Sequence, residues 1–176
     1  MRKLNNNELE RISIKQFKKS KKTAITIVLD NIRSAFNVGA VFRCADAFII
    51  EKIILCGITA TPPNKEIRKS ALGSSHSVNW EYSKNTIDAI TQLKKEGQYI
   101  IGIEQTTGST LLQEFKTPKK PITIIMGNEV HGISQEIVSN CDEIIEIPQF
   151  GTKHSLNIST ATGIVIWELF RKLQNN

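Results

Sequence analysis

Short apolar runs alternate with stretches of helical periodicity from residue 24 onward. Five runs rich in β-branched residues lie at 24–30, 52–56, 98–104, 122–127 and 143–148. Most are apolar at consecutive positions, as in AITIVL and ITIIM, which is typical of parallel strands buried under helices on both faces. Apolar residues at helical spacing predict helices over 38–48, 85–96, 134–140 and 156–173. The alternation predicts an α/β fold with a mostly parallel sheet covered by helices.

Four of the five predicted strands are followed by loops rich in glycine and polar residues. These loops read DNIRSAFNVG, EQTTGST, GNEVHG and PQFGTKHSLN. Because ligands of open α/β sheets bind outside the carboxyl ends of the strands, we expect a site at that edge. Neither GxGxxG after the first strand nor a phosphate loop of the form GxxxxGK followed by Ser or Thr occurs, so both common nucleotide fingerprints are excluded.

Positive charge is concentrated at the start of the chain. The 176 residues carry a net charge of +6, and residues 1–22 hold eight Lys or Arg against two Glu. Leu9, Ile12 and Phe17 in this segment predict a short basic amphipathic helix. Such a helix is either a solvated surface element or an arm that contacts phosphates. We therefore divide the chain into a basic arm, residues 1–22, and a single domain, residues 23–176.

The remaining composition favours a cytoplasmic protein. No apolar run approaches the roughly 18 residues of a membrane span, and the N-terminus lacks the apolar core of a signal peptide. The three cysteines have no CxxC spacing and are expected to be buried free thiols, as in a reducing compartment. The three histidines lack metal-ligand spacing. The cysteines are Cys44, Cys56 and Cys141, and the histidines are His76, His131 and His154.

The helix predicted after the first strand carries an arginine off its apolar face. Asn37 is a candidate N-cap for this helix. Helical side chains lean toward the N-terminus, so Arg43 is expected to lie over Gly39, toward the crevice at the strand ends. Alternatively, Arg43 is a surface residue paired with Asp46 or Asp30.

The last predicted helix is apolar in nearly every direction. Such a helix must be covered on all sides, either by the core of its own chain or by a partner subunit. The pattern alone favours neither arrangement.

Three segments together resemble a known family. DNIRSAFNVGAVFRCADAF, IIMGNEVHGIS and IPQFGTKHSLNISTATGIVIWEL are similar to the three motifs of the SpoU (TrmH-type) RNA 2′-O-ribose methyltransferases of the SPOUT superfamily. PPNKEIRKSALGS, between the first two motifs, is also family-like. The similarity extends from about residue 24 to residue 173 and leaves out the basic arm.

The resemblance implies a fold, a cofactor and a reaction. The fold would be α/β with a deep trefoil knot in its C-terminal part, and the cofactor S-adenosylmethionine would bind in the knotted loops. The protein would be a homodimer that methylates a ribose 2′-hydroxyl of tRNA or ribosomal RNA. No metal would be needed, because the sulfonium is already an activated methyl donor.

The resemblance also assigns residues. The motif positions implied to be catalytic are Arg43, Asn37, Glu129, Ser155 and Asn157. The positions implied to hold the cofactor, largely through backbone groups, are Glu104, Gln105, Thr106, Gly127, Asn128, Gly132, Ile147, Gln149, Ser155, Leu156 and Asn157. Gln149 stands where relatives often have methionine. The candidate RNA contacts are the basic residues Arg11, Lys15, Lys18, Lys19 and Arg33.

A guanidinium is permanently charged near neutral pH. We therefore expect Arg43 to anchor a substrate phosphate and stabilise the forming alkoxide, while water or phosphate accepts the proton. Asn37 would orient Arg43 or the ribose, and Glu129 would hold the arginine or its loop. Two other functions stay open: an RNA-binding relative without catalysis, and an α/β enzyme that acts on a small nucleotide.

Overall fold

A computed structural model describes residues 1–174 of the chain. Its strands are β1 (Thr23–Asp30), β2 (Ile50–Cys56), β3 (Asn79–Ser83), β4 (Tyr99–Ile103), β5 (Thr110–Leu111), β6 (Ile122–Met126) and β7 (Glu143–Glu146). They form one sheet in the order β3-β2-β1-β6-β4-β7-β5. Every pairing in this sheet is parallel, which confirms the predicted α/β class.

Helices cover both faces of the sheet. They are α1 (Ile14–Lys19), α2 (Ala35–Ala47), α3 (Lys65–Ala71), α4 (Ser74–Ser77), α5 (Thr86–Lys95), α6 (Gln135–Val138) and α7 (Ile158–Gln174). The larger core cluster packs α2 and α7 against one face, and the smaller cluster packs α5 and α6 against the other. Because both faces are buried, the central strands read as uninterrupted apolar runs.

Several element boundaries differ from the sequence-based expectation. The prediction missed β3, β5, α3 and α4, and it started α2 too late. The N-cap of α2 is Ser34, whose hydroxyl accepts a hydrogen bond from the Asn37 N–H at 3.2 Å. Asn37 therefore lies in the first turn of α2 rather than before it. Its side chain is thus available for contacts outside its own helix.

Helix α1 of the basic arm is docked on the domain at the amino ends of the strands. Phe17 of α1 is only 3% exposed and belongs to the larger core cluster. The Lys22 ammonium lies 3.8 Å from the centre of the Phe17 ring. Lys18 lines a cavity together with Thr26, Lys52 and other residues near the starts of the strands. Helix α1 thus lies at the amino ends of the strands, opposite the carboxyl ends where a ligand is expected. The boundary at residue 22 stays a prediction, and residues 175–176 lie outside the described residues.

The C-terminal end of α7 is tied to the segment that follows β5. The Lys172 ammonium donates hydrogen bonds to the carbonyl oxygens of Leu112 and Gln113 at 3.0 Å and of Phe115 at 2.6 Å. It also pairs with Glu168 at 3.3 Å. These contacts fix one end of the helix whose other end borders the cleft described below.

All three cysteines are free thiols, as expected, but their burial is uneven. Cys56 is buried, whereas Cys44 and Cys141 are half-buried. Burial raises the pKa of the Cys56 and Cys141 thiols to about 11. Within residues 1–174, no group of three His, Cys, Asp or Glu side chains is placed to hold a metal ion. No helix in that range is both long and apolar enough to cross a membrane.

Candidate active site

A cleft of about 780 Å³ opens at the carboxyl ends of β4, β6 and β7. Three loops form its walls: 104–106 after β4, 127–133 after β6 and 147–157 after β7. Its volume lies within the range of about 300–1,000 Å³ that small-molecule sites occupy. The cleft is located where the loop composition predicted a site.

Every residue expected to hold a cofactor lines this cleft. The structure brings together Glu104, Gln105, Thr106, Gly127, Asn128, Gly132, Ile147, Gln149, Ser155, Leu156 and Asn157. The sequence interpretation missed the apolar part of the wall, which includes Ile103, Met126, Ile133, Ile158 and Ala161. Ile103 and Met126 could have been found because each is the last residue of a strand that precedes a site loop.

The loop after β6 is closed so tightly that it requires glycine. Asn128 and Gly132 exchange two backbone hydrogen bonds, at 3.1 and 2.9 Å. A Cβ on Gly127 would lie 2.4 Å from the Gly132 carbonyl carbon, which is too close for any side chain. Gly132 itself has φ of +63°, a conformation that favours glycine. The Asn128 amide donates to the Asn31 carbonyl oxygen at 2.6 Å and ties this loop to the end of β1.

Side chains of the loop after β4 connect it to the other two loops. The Glu104 carboxylate accepts hydrogen bonds from the N–H groups of Gln105 and Ile133, both at 2.9 Å. The Gln105 amide donates to the His154 carbonyl oxygen at 2.7 Å. The three walls of the cleft are therefore cross-linked by hydrogen bonds.

Three of the expected catalytic residues form one chain of hydrogen bonds. The Asn37 amide donates to Glu129 Oε1 at 3.1 Å, and the Asn157 amide donates to Asn37 Oδ1 at 3.2 Å. Asn157 Oδ1 accepts from the Ser159 N–H at 2.9 Å at the start of α7. Ser155 lines the cleft beside this chain. One residue from each sequence motif is thus joined at the carboxyl edge of the sheet.

Glu129 also fixes the loop that precedes α2. Its carboxylate accepts hydrogen bonds from the N–H groups of Arg33 at 2.9 Å and Ser34 at 3.0 Å. Burial alone would raise the pKa of Glu129, but these N–H groups, its own N–H and the Asn37 amide together lower the pKa below the usual 4.5. Two roles were considered for Glu129, holding Arg43 or holding its loop, and these hydrogen bonds are made with the loop.

We expect Glu129→Gln to lower the melting temperature at pH 7 by roughly 2–4 °C, because a neutral amide cannot replace the carboxylate as an acceptor of several hydrogen bonds. The folded pKa is depressed, so the carboxylate contributes its full stability above pH 4.5 and loses it as pH falls through the folded value. The difference between wild type and variant should therefore shrink on acidification. Melting curves from pH 7 to pH 3 measure it. Glu136→Gln, at an exposed carboxylate, is the control, and a difference independent of pH would contradict this assignment.

Arg43 does not reach the cleft of its own chain. Its side chain is exposed, does not line the cleft, and makes no hydrogen bond or ion pair within residues 1–174. The predicted path over Gly39 is closed, because α3 packs there. A Cβ on Gly39 would lie 2.0 Å from Ser70 Oγ and 2.5 Å from the Ile67 carbonyl oxygen.

The acidic residues considered as surface partners of Arg43 are bonded elsewhere. Asp46 accepts a hydrogen bond from the Ser77 hydroxyl, and Asp30 accepts one from Thr86 at 2.5 Å. The guanidinium therefore has no partner among residues 1–174 and can engage another molecule.

Comparison with known proteins identifies the family. A family model described as the SpoU rRNA Methylase family matches residues 24–167. The chain belongs to this family. The resemblance of the three motifs is confirmed, and the loops that carry the second and third of them form two of the three walls of the cleft.

One relative in the SpoU family is the 23S rRNA (guanosine-2′-O-)-methyltransferase RlmB of Blochmanniella floridana. It is 37% identical over 154 residues, which cover 86% of this chain and 59% of the relative. This chain thus spans about 60% of the length of that relative.

Solved structures show the same fold. An AdoMet-bound rRNA methyltransferase from Sinorhizobium meliloti superimposes with a TM-score of 0.81 at 30% identity, covering 89% of this chain and 60% of that one. The TrmH/SpoU tRNA modifying enzyme of A. aeolicus gives a TM-score of 0.81 at 27% identity, covering 92% and 83% of the two chains.

Proposed function

We propose that this SpoU family chain transfers the methyl group of S-adenosylmethionine to a ribose 2′-hydroxyl of tRNA or ribosomal RNA. The observation that carries the proposal is the hydrogen-bond chain from Glu129 through Asn37 to Asn157, beside a cleft of cofactor size. The names of the matched relatives support the same reaction.

The cleft fits S-adenosylmethionine. Its apolar wall, with Met126 and Ile147, suits an adenine ring, and the glycines of the loop after β6 leave backbone groups accessible to polar parts of the cofactor. The residues proposed to hold the cofactor are those of the three cross-linked loops named above. When bound, S-adenosylmethionine supplies a sulfonium methyl group that is already activated for transfer.

The chain's own residues would position the substrate and stabilise charge. Asn37 and Asn157 fix each other beside the cleft, and Ser155 lines it. The Arg43 guanidinium would hold a substrate phosphate and stabilise the alkoxide that forms on the ribose. Water or the phosphate would accept the proton. Accurate positioning is worth up to about 7–11 kcal/mol in favourable reactions.

We propose a homodimer, because a second copy would cover an exposed apolar face and bring its Arg43 to the cleft. Phe36 and Arg43 lie seven residues apart on the outer side of α2, and Phe36 is 56% exposed. On the neighbouring α7, Ile164 and Trp167 are 39% and 53% exposed. Trp167 packs against Phe48, with ring centres 5.9 Å apart. Large apolar side chains exposed together on adjacent helices are typical of an interface.

Two further expectations belong to this proposal. Family membership supports a deep trefoil knot formed by the loops that surround the cleft. An RNA substrate and three unpaired thiols support a cytoplasmic location.

The basic residues proposed to contact RNA lie at both ends of the parallel strands. Arg33 is exposed at the carboxyl ends beside Glu129, whereas Lys18 lies at the amino ends on α1. Arg11, Lys15 and Lys19 are exposed on or near that arm helix. β1 spans eight residues, so about 25 Å separates the amino and carboxyl ends of the strands. A folded RNA can reach both ends of the strands, but a mononucleotide is too short.

Methyl transfer from isotopically labelled S-adenosylmethionine to total RNA from cells that lack this chain tests the proposal. We expect label in nucleosides whose 2′-oxygen is methylated, recognised by the resistance of the adjacent phosphodiester to alkali. RNA binding without label would instead support the RNA-binding function without catalysis. Label transferred to free nucleotides but not to RNA would support the small-nucleotide enzyme.

A further inference from the structure

Phe150 has an exposure that the fold does not explain. Its side chain is 96% exposed, against 56% for Phe36 and 53% for Tyr82 and Trp167. Phe36 and Trp167 belong to the proposed subunit interface, and the Tyr82 hydroxyl donates a hydrogen bond to the Gly57 carbonyl oxygen. Phe150, by contrast, has no ring contact or other partner within residues 1–174.

The position of Phe150 is at the rim of the cleft. Its neighbour Gln149 lines the cleft, and so does His154 four residues later. Residues 150–157 are all exposed, and the loop is fixed by the hydrogen bond from Gln105 to the His154 carbonyl oxygen. The ring therefore stands on a loop whose two ends are part of the site.

The surroundings of Phe150 suit RNA. Lys153 on the same loop is exposed and has no ion-pair partner within the described residues. Cations and exposed aromatic rings on one surface are the combination with which proteins hold single-stranded nucleic acid. The arm cannot supply such a ring, because its Phe17 is buried.

We propose that Phe150 stacks on a nucleobase of the RNA segment whose ribose enters the cleft. This inference rests on the proposed function and adds a substrate-positioning residue to it. Unstacked bases of RNA loops are typically held on aromatic side chains. Stacking at the rim would hold the nucleotide while the ribose hydroxyl faces the cleft.

Kinetics of four variants on total RNA from cells that lack this chain test the inference. Phe150→Ala should raise the apparent KM for RNA about 5- to 100-fold, the range expected for one lost stacking contact, with a smaller change in kcat. Phe150→Trp should retain the wild-type KM, and Phe150→Leu, apolar but not aromatic, should behave like the alanine variant. Tyr82→Ala, at an exposed aromatic residue outside the cleft, should keep the wild-type KM.

Two further measurements distinguish stacking from other roles of the ring. The affinity for S-adenosylmethionine and the oligomeric state should not change in Phe150→Ala. A weaker cofactor affinity would place the ring in the cofactor wall, and a loss of dimers would place it in the subunit interface; either result overturns the inference. So does an unchanged KM in both the alanine and the leucine variants.

Failure of this inference can be told apart from failure of the proposed function. If the wild type transfers no methyl group, the proposed function fails. Filter retention of the same RNA then still compares wild type, Phe150→Ala and Phe150→Trp without turnover. Equal retention of all three would overturn the stacking role.

Discussion

Replacing Arg43 by alanine should lower kcat for RNA methylation by about 100- to 1,000-fold, the effect typical of losing a group that stabilises developing negative charge. Arg43→Lys should also lose most of the turnover, because an ammonium keeps the charge but not the planar pair of donors. The affinity for S-adenosylmethionine should stay unchanged, since the proposed contacts of Arg43 are with the substrate phosphate and alkoxide, and Arg43 does not line the cleft of its own chain. Near-normal methylation by Arg43→Lys would contradict the assigned role.

Mixed dimers test whether Arg43 acts on the partner's cleft. Arg43→Ala keeps an intact cleft, and a cleft-blocked variant such as Gly127→Ala keeps Arg43. In an equimolar mixture, half of the dimers would pair one chain of each kind, and each such dimer would contain one complete site. We therefore expect the mixture to recover about a quarter of the wild-type activity per chain if the subunits exchange freely. Activity no higher than that of the separate variants would show that Arg43 does not act across the interface.

Gly127→Ala should abolish measurable binding of S-adenosylmethionine and destabilise the fold by about 1–3 kcal/mol, as overpacking of a closed structure does. The added Cβ would lie 2.4 Å from the Gly132 carbonyl carbon and 2.6 Å from the Ile133 nitrogen. Both are backbone atoms, so no side-chain rotation can relieve the contact, and the loop after β6 must open. Calorimetric titration and thermal melting measure the two effects.

Gly108→Ala is the matched control, because a Cβ there would meet no atom within 4 Å. It should bind the cofactor like the wild type. Wild-type cofactor affinity in Gly127→Ala would show that the tight closure of this loop is not needed for binding.

Hydrophobic patterning was sufficient to predict the buried part of the sheet. The central strands β1 and β6 are apolar on both faces, so their sequences differ clearly from the polar loops that follow. β3 escaped prediction because it lies at the sheet edge and has no buried residue. β5 has only two residues, too few for any periodic signal. Hydrophobic patterning therefore failed at the two edge strands of the sheet.

The cleft at the carboxyl ends of the strands was predicted from the loops, but contacts between distant segments were not. Motif resemblance indicated Asn37 and Glu129, yet nothing in their local sequence shows that the amide of one bonds the carboxylate of the other across 92 positions. The Arg43 side chain was predicted to lie over Gly39, toward the cleft of its own chain. This direction was wrong, because the prediction missed α3, which packs against Gly39. Local helix geometry could place Arg43 on a face of α2 but could not show what covers the neighbouring faces.

Under the proposed function, this chain methylates a ribose oxygen of RNA. A transcriptome-wide map of 2′-O-methylated riboses in tRNA and ribosomal RNA, from cells with and without this chain, tests it most directly. We predict that at least one ribose loses its methyl group when the chain is absent and regains it when wild type, but not Arg43→Ala, is restored. Identical maps, or a missing methyl group that had been on a base, would contradict the claim.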